Sequence, residues 1–171
     1  MENTTEIIGY KCFNKDMTNN YGVKFEVGKT YTVNEPIIFG LKGNGFHIAE
    51  KLEDTLRYFN ADKEEISICL VKGKDKIVES SDEYYGYYNL YAVQTLEIIK
   101  KLSREEIINI ALSLHEIRLI RFISTFKLTK EEIELFKEIY KNNINIISYI
   151  EYYQENKLDA FTKTLKKYKK I

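Results

Sequence analysis

The chain has 171 residues, 44% of them hydrophobic and 30% charged, and its 26 basic and 26 acidic side chains cancel to a formal net charge of zero. That is enough apolar material for one ordinary domain, or for a small domain with a helical appendage, and the balance excludes nucleic-acid or membrane binding driven by global charge. No run reaches the roughly 18 apolar residues of a membrane span, no stretch has signal-peptide layout, and Cys12 and Cys69 are too few for a disulfide framework or a zinc site. The expected setting is the cytoplasm, with both thiols reduced. Heavy use of Lys, Ile, Asn and Tyr, with one Pro and no Trp, points to an AT-rich bacterial genome.

The first hundred residues read as strand and turn. EIIGYKCF, 6–13, is a strand that places Ile8, Tyr10 and Cys12 on one face. NKDMTNNYG, 14–22, is turn chemistry, because Asn, Asp and Gly accept left-handed or self-bonded backbone. KFEVGKTYT, 24–32, predicts a strand broken at Gly28, and EPIIF, 35–39, a short proline-led edge segment. GFHIA, 45–49, predicts a strand. Leu52, Thr55, Leu56 and Phe59 then fall at i, i+3, i+4 and i+7, one face of a short helix. EISICLVKG, 65–73, is a buried strand closed by Gly73, with 75–80 as its hairpin partner, and LYAVQTLEII, 90–99, returns to strand.

Beyond Leu102 the pattern is helical. Ser103 with Glu106 and Thr129 with Glu132 have capping-box spacing. Ile107, Ile110, Ala111, Leu114 and Ile117 form one stripe, flanked by Ile108, Leu112, His115, Leu119 and Phe122, so this helix is expected to be buried on two sides, His115 included. Ile133, Phe136, Tyr140, Ile144 and Ile147 carry a second helix bent near Asn142 and Asn143, and a last short helix starts at Asp159. The reading is α+β: a β-rich module with one short helix over 1–102, then a unit of two to three antiparallel helices over 103–171, packed on the module. The halves differ in sign: residues 101–171 hold 14 basic and 10 acidic residues, net +4, and the first hundred 12 and 16, net −4.

Lys11-Cys12-Phe13, then Phe25-Glu26-Val27-Gly28-Lys29-Thr30-Tyr31, then Gly45-Phe46-His47, Leu52 to Tyr58 and the strand at Cys69 make an ordered pattern over roughly 8–100. It resembles an uncharacterised domain of bacterial and phage proteins in which G-F-H follows F-x-V-G-K-x-Y. The resemblance implies a phage or prophage setting and no established activity. Gly45-Phe46-His47-Ile48-Ala49 with Leu56-Arg57-Tyr58 is also distantly similar to ADP-ribosyltransferase folds. That similarity implies NAD as cofactor, His47 as the ring that stacks on nicotinamide, and Lys11 in a first-strand position usually held by His or Arg. A Q/E-x-E pair is missing, and Glu79, Glu83 and Glu97 are loose candidates for its carboxylate.

Read from the residues alone, His47 either moves a proton near neutral pH or bonds backbone and orders the glycine loop, and the second reading is favoured. No H-x-x-x-H or C-x-x-C spacing supports a metal, and Gly40, Gly43 and Gly45 lack the phosphate-loop pattern. Tyr84, Tyr85, Tyr87, Tyr88 and Tyr91 offer rigid area with polar tips, suited to a protein contact. Lys163, Lys166, Lys167, Lys169 and Lys170 offer a basic tail for an acidic protein or a phosphate, and the route by which nucleic acid, not an expected partner, could bind. The function expected is that of a non-catalytic protein-interaction module without cofactor; the alternative is a divergent NAD-using transferase around His47.

Overall fold

The computed structural model describes residues 6–40, 42–59, 65–80 and 90–155. They form five strands and five α-helices, an α+β arrangement with the strands first. The strands are β1 (Ile7–Asn14), β2 (Thr30–Thr32), β3 (Phe46–Ala49), β4 (Ile66–Glu79) and β5 (Leu90–Lys101). All pairings are antiparallel. β5 pairs with β4, with β3 through Leu90–Val93, and with β2 through Thr95–Glu97. β1 lies between β3 and β4, so the sheet returns on itself as a small barrel-like structure. α1 (Leu52–Thr55) and a 3₁₀ turn (Leu56–Tyr58) follow β3 and bury Leu52, Thr55 and Leu56, three of the four residues expected on that face. The Thr55 hydroxyl accepts a hydrogen bond from the Cys12 amide at 3.0 Å and ties the helix to β1.

The core of this first unit comprises Phe13, Phe25, Ile48, Cys69, Val71, Val93, Leu96 and Ile98, with Ile7, Met17 and Phe46 against it. Ile7 and Phe13 share a face of β1 with Lys11, because side chains alternate along a strand. The face carrying Ile8, Tyr10 and Cys12 is the other one, and Ile8 is 48% exposed. Phe25 belongs to no strand; of the stretch 24–32, Thr30–Thr32 alone is strand. Residues 35–39 also form a loop rather than a strand, with Ile37 buried. The 14–22 turn is built as its composition predicts: Asp16 accepts from the Thr18 amide and hydroxyl, and the Asn19 side chain from the Tyr21 and Val23 amides.

Gly73 corrects the sequence reading. It does not end a strand; β4 runs through it for 14 residues, with an irregular register between Lys74 and Ile77. A Cβ there would lie 2.5 Å from a Val93 methyl and 3.0 Å from both Ile48 and Ile7, so the glycine serves core packing. Gly9 does similar work: its Cβ would stand 2.4 Å from the Ala49 carbonyl oxygen, beside the ladder pair Tyr10–Ala49 that joins β1 to β3.

A first compact unit closes at Ile107 and a second begins at Ile108. Both capping boxes form, at Ser103–Glu106 and Thr129–Glu132. The long helix expected after Ser103 is two helices, α2 (Arg104–Leu112) and α3 (Glu116–Thr125). The Ser113 amide and hydroxyl both bond back to the Ile110 carbonyl, and His115 takes extended backbone and caps α3. His115 is therefore exposed rather than buried, and Ile117 is 78% exposed. The next predicted helix also divides, into α4 (Lys130–Ile139) and α5 (Ile144–Ile150), with the Asn143 side chain accepting from the Ile146 amide. Among the described residues, four α-helices thus stand after residue 103 where two to three helices were expected; the helix predicted from Asp159 lies outside the described residues.

Within the second unit, Leu119, Phe122, Ile123, Ile133, Phe136, Ile146 and Ile150 are buried. A π-helical turn, Glu151–Glu155, carries the buried Gln154. Its amide donates to the Phe126 carbonyl at 2.9 Å and to that of Ile123, and its oxygen accepts from the Leu128 amide at 3.1 Å. One side chain thus satisfies three backbone groups at the end of α3. Gln154→Leu should destabilise this unit by about 2–3 kcal/mol, because three polar groups lose their partner in an apolar setting. Urea denaturation of the full chain followed by circular dichroism checks this.

Candidate functional site

β1 and β3 meet at Tyr10 and Ala49, and no ladder pair joins them beyond that point among the described residues. In the opening between them lies a pocket of ≈ 240 Å³. Lys11 and Cys12 line it from β1, and Phe46 and His47 from β3. Asn19, Asn20, Tyr21 and Phe25 come from the first loop, Phe39, Gly40 and Gly45 from the glycine loop, and Arg57, Tyr58 and Phe59 from the turn after α1. The Asn20 side-chain Nδ2 donates to the Tyr58 carbonyl at 3.3 Å and links two of these walls.

Lys11 spans the opening. Its ammonium donates to the His47 carbonyl at 2.7 Å and stands 5.7 Å from the centre of the Phe13 ring. Burial lowers its pKa from 10.5 to about 8. The same burial pushes the neighbouring Cys12 thiol up to about 12, which leaves it an unreactive thiol at neutral pH. The His47 ring sits edge-on to Phe39 at 4.9 Å and parallel to Tyr58 at 6.2 Å. Its Nε2 accepts from the Gly40 amide at 3.4 Å, so the imidazole braces the glycine loop while forming a pocket wall. Burial, with Lys11 adding to it, lowers the His47 pKa to about 4. The ring is neutral at pH 7.

Two cations, Lys11 and Arg57, line the pocket, and among the described residues no Asp or Glu does. The Arg57 guanidinium lies over the Tyr58 ring at 5.5 Å, a cation–π contact at the rim. Tyr21, 82% exposed, adds a second ring beside the entrance. The site is thus cationic and aromatic, a combination that suits an anionic ligand with a flat ring.

Of the residues singled out in the sequence, the fold brings His47 and Lys11 together. Glu79 lies on β4, exposed and opposite Tyr91, outside the pocket lining. Glu97 pairs with Lys74 at 2.5 Å on the sheet surface and does not line the pocket. Tyr91 packs against the barrel core, and its hydroxyl donates to Glu50 at 3.5 Å. Glu83, Tyr84, Tyr85, Tyr87 and Tyr88, and Lys163, Lys166, Lys167, Lys169 and Lys170, lie outside the described residues. Among the described residues, no three His, Cys, Asp or Glu side chains gather as a metal site, and no helix is long and apolar enough to cross a membrane. Asn19, Asn20 and Phe39 escaped the sequence reading, and Arg57 entered it only within the Leu56-Arg57-Tyr58 resemblance, with no role of its own; the one local signal was Arg57, a cation flanking the apolar face of the short helix.

Residues 7–110 match the family described as a domain of unknown function, DUF7666. The chain belongs to this family. The DUF7666 match takes in every strand, α1 and all the pocket-lining residues. The candidate site is therefore contained within the family domain. No curated protein and no solved structure matches the chain.

His47 gives the DUF7666 domain a pH signature. Its folded pKa, about 4, lies below the 6.5 of an ordinary histidine, so the unfolded chain binds more protons between these values. Stability should be full above pH 6.5 and fall as pH drops toward 4. The ring is partly exposed, so the loss from about pH 6.5 to pH 5 should be about 1 kcal/mol. His47→Gln should flatten that slope. Carboxylates held below their usual values by hydrogen bonds, such as Asp16 and Glu106, act only at lower pH. Urea midpoints of both proteins across this range check it.

Proposed function

We propose that the DUF7666 domain is a non-catalytic binding module whose pocket takes a small anionic ligand carrying a flat ring. The observation that carries this reading is the lining itself: two cations and a set of rings that includes Phe39, Phe46, His47 and Tyr58, with no carboxylate among the described residues. The volume limits the ligand. At ≈ 240 Å³ the pocket falls below the roughly 300–1,000 Å³ of sites that engulf drug-sized molecules. A ring with one phosphate or carboxylate group suits it, and a whole dinucleotide does not.

The experiment is a thermal-shift and calorimetric comparison of adenosine, adenosine monophosphate and NAD. The reading expects the monophosphate to bind at least about tenfold more tightly than the nucleoside, because the anion meets Lys11 and Arg57, and NAD to bind no better than the monophosphate. Absence of any response to the monophosphate at millimolar concentration overturns it. The meeting of His47 and Lys11 supports a second reading, a divergent NAD-using transferase with His47 against nicotinamide. That reading expects NAD to bind tightly and nicotinamide to be released. The tyrosine cluster at 84–91 and the lysines at 166–170 support a protein contact made elsewhere on the chain, on sequence alone. A pull-down in which Tyr85→Ala with Tyr88→Ala loses no partner would remove the tyrosines from it.

A further inference from the structure

We propose that Lys11 captures aldehyde-bearing ligands of this pocket as a reversible imine. The inference rests on the binding reading above and adds a chemical step to it.

The geometry is unusual for a lysine. Surface lysines keep the ammonium in water, whereas Lys11 shares a strand face with the core residue Phe13 and with Ile7, which packs against the core, and ends in the pocket. A strand position on that face would ordinarily hold an apolar side chain. The Lys11 amine is tethered at 2.7 Å to the His47 carbonyl. One N–H is thereby committed, and the lone pair of the neutral amine points away from that carbonyl. The rings of Phe39, His47 and Tyr58 and the Arg57 cation stand where a flat anionic aldehyde would be held beside the amine. Holding the carbonyl carbon near the nucleophile supplies the effective concentration that free lysine lacks.

The amine is also available. With a pKa of about 8, about a quarter of Lys11 side chains are neutral at pH 7.5, against about one in a thousand for an ordinary lysine. The step balances without an oxidant or a metal. The amine nitrogen adds to the aldehyde carbon, a proton passes from nitrogen to the new alkoxide, and the carbinolamine loses water to leave the C=N bond. An aldehyde and an amine give an imine and one water, and hydrolysis reverses it.

Pyridoxal 5′-phosphate is a suitable probe, being a flat ring with one phosphate and one aldehyde. The full chain is incubated with it, reduced with borohydride, digested and mapped by mass spectrometry. Pyridoxine 5′-phosphate, an alcohol that forms no imine, is titrated in parallel. The expected result is a reduced adduct on Lys11, formed about tenfold or more faster than on the average lysine and suppressed by pyridoxine 5′-phosphate. Lys11→Arg should lose that adduct and keep measurable binding of the alcohol. Labelling spread over other lysines with Lys11 spared, while the alcohol still binds, overturns the imine and leaves the pocket reading standing. If neither compound engages the pocket, both readings fail. Mapping the wild-type protein decides the matter even where the variant does not fold.

Discussion

Lys11→Met should yield a protein more stable than the wild type at pH 7 and at least about tenfold weaker in binding an anionic ring ligand. The two effects come from one cause. Burial depresses the Lys11 pKa from 10.5 to about 8, so below pH 8 the folded chain carries a charge that the unfolded chain holds more easily. Taken at face value this burden is roughly 3 kcal/mol, an upper bound because the side chain is partly exposed. Methionine keeps most of the aliphatic length and gives up the hydrogen bond to the His47 carbonyl, worth about 1 kcal/mol. The net gain should be about 1–2 kcal/mol. The sign reverses the usual lysine case. For a base whose folded pKa is lowered, the burden is complete below about 8 and disappears as pH rises through 10.5. The advantage of the variant should therefore shrink toward pH 10. Paired urea titrations at pH 7 and about pH 10 measure this. A variant that is less stable at pH 7 would show the ammonium to be a structural asset.

Phe13→Ala should be the most damaging single change in the barrel, with a loss of about 3–5 kcal/mol. Phe13 is fully buried, its ring 5.0 Å from that of Phe25, which in turn lies 4.8 Å from Tyr31 and 6.1 Å from Phe46. This aromatic chain reaches across β1, the first loop, β2 and β3, so one truncation loosens every wall that converges on Phe25. Calorimetry should show the transition of the β unit lowered by well over ten degrees or lost. Phe13 also lies under the Lys11 ammonium, so binding should fall with stability. A shift of only a degree or two would mean that the cluster repacks around the gap.

Much of the local grammar was legible. Both capping boxes, the Asp16 and Asn19 turns, β3, the short helix after it and the α+β order follow from spacing and residue type, because those signals act over a few residues. The failures have a common physical source. Gly73 looked like a terminator because its reason for being glycine, Val93, Ile48 and Ile7 meeting above it, is supplied by three other strands. The split between α2 and α3 turns on Ser113 bonding back to Ile110, a choice that apolar periodicity does not record. The pocket was hidden for the same reason. Phe39 and Asn20 are unremarkable in sequence, Lys11 is marked there only through a distant resemblance, and their convergence depends on β1 and β3 separating after a single ladder pair. His47 was noticed as a rare residue in an ordered stretch. Of the two roles read for it, proton transfer or a brace for the glycine loop, the geometry supports the brace, since its Nε2 holds the Gly40 amide, and the same ring also faces Tyr58 as a pocket wall.

The central claim is that the amine of Lys11 ends inside a pocket of the barrel rather than in water. Protein carrying ¹³C at the lysine ε-carbon, titrated from pH 6 to 11 by NMR and assigned with Lys11→Met, tests it directly. One resonance, missing from the variant, should titrate near pH 8 while the others move near 10.5. If the Lys11 signal titrates with the rest, the amine is solvated and the account of the pocket is wrong.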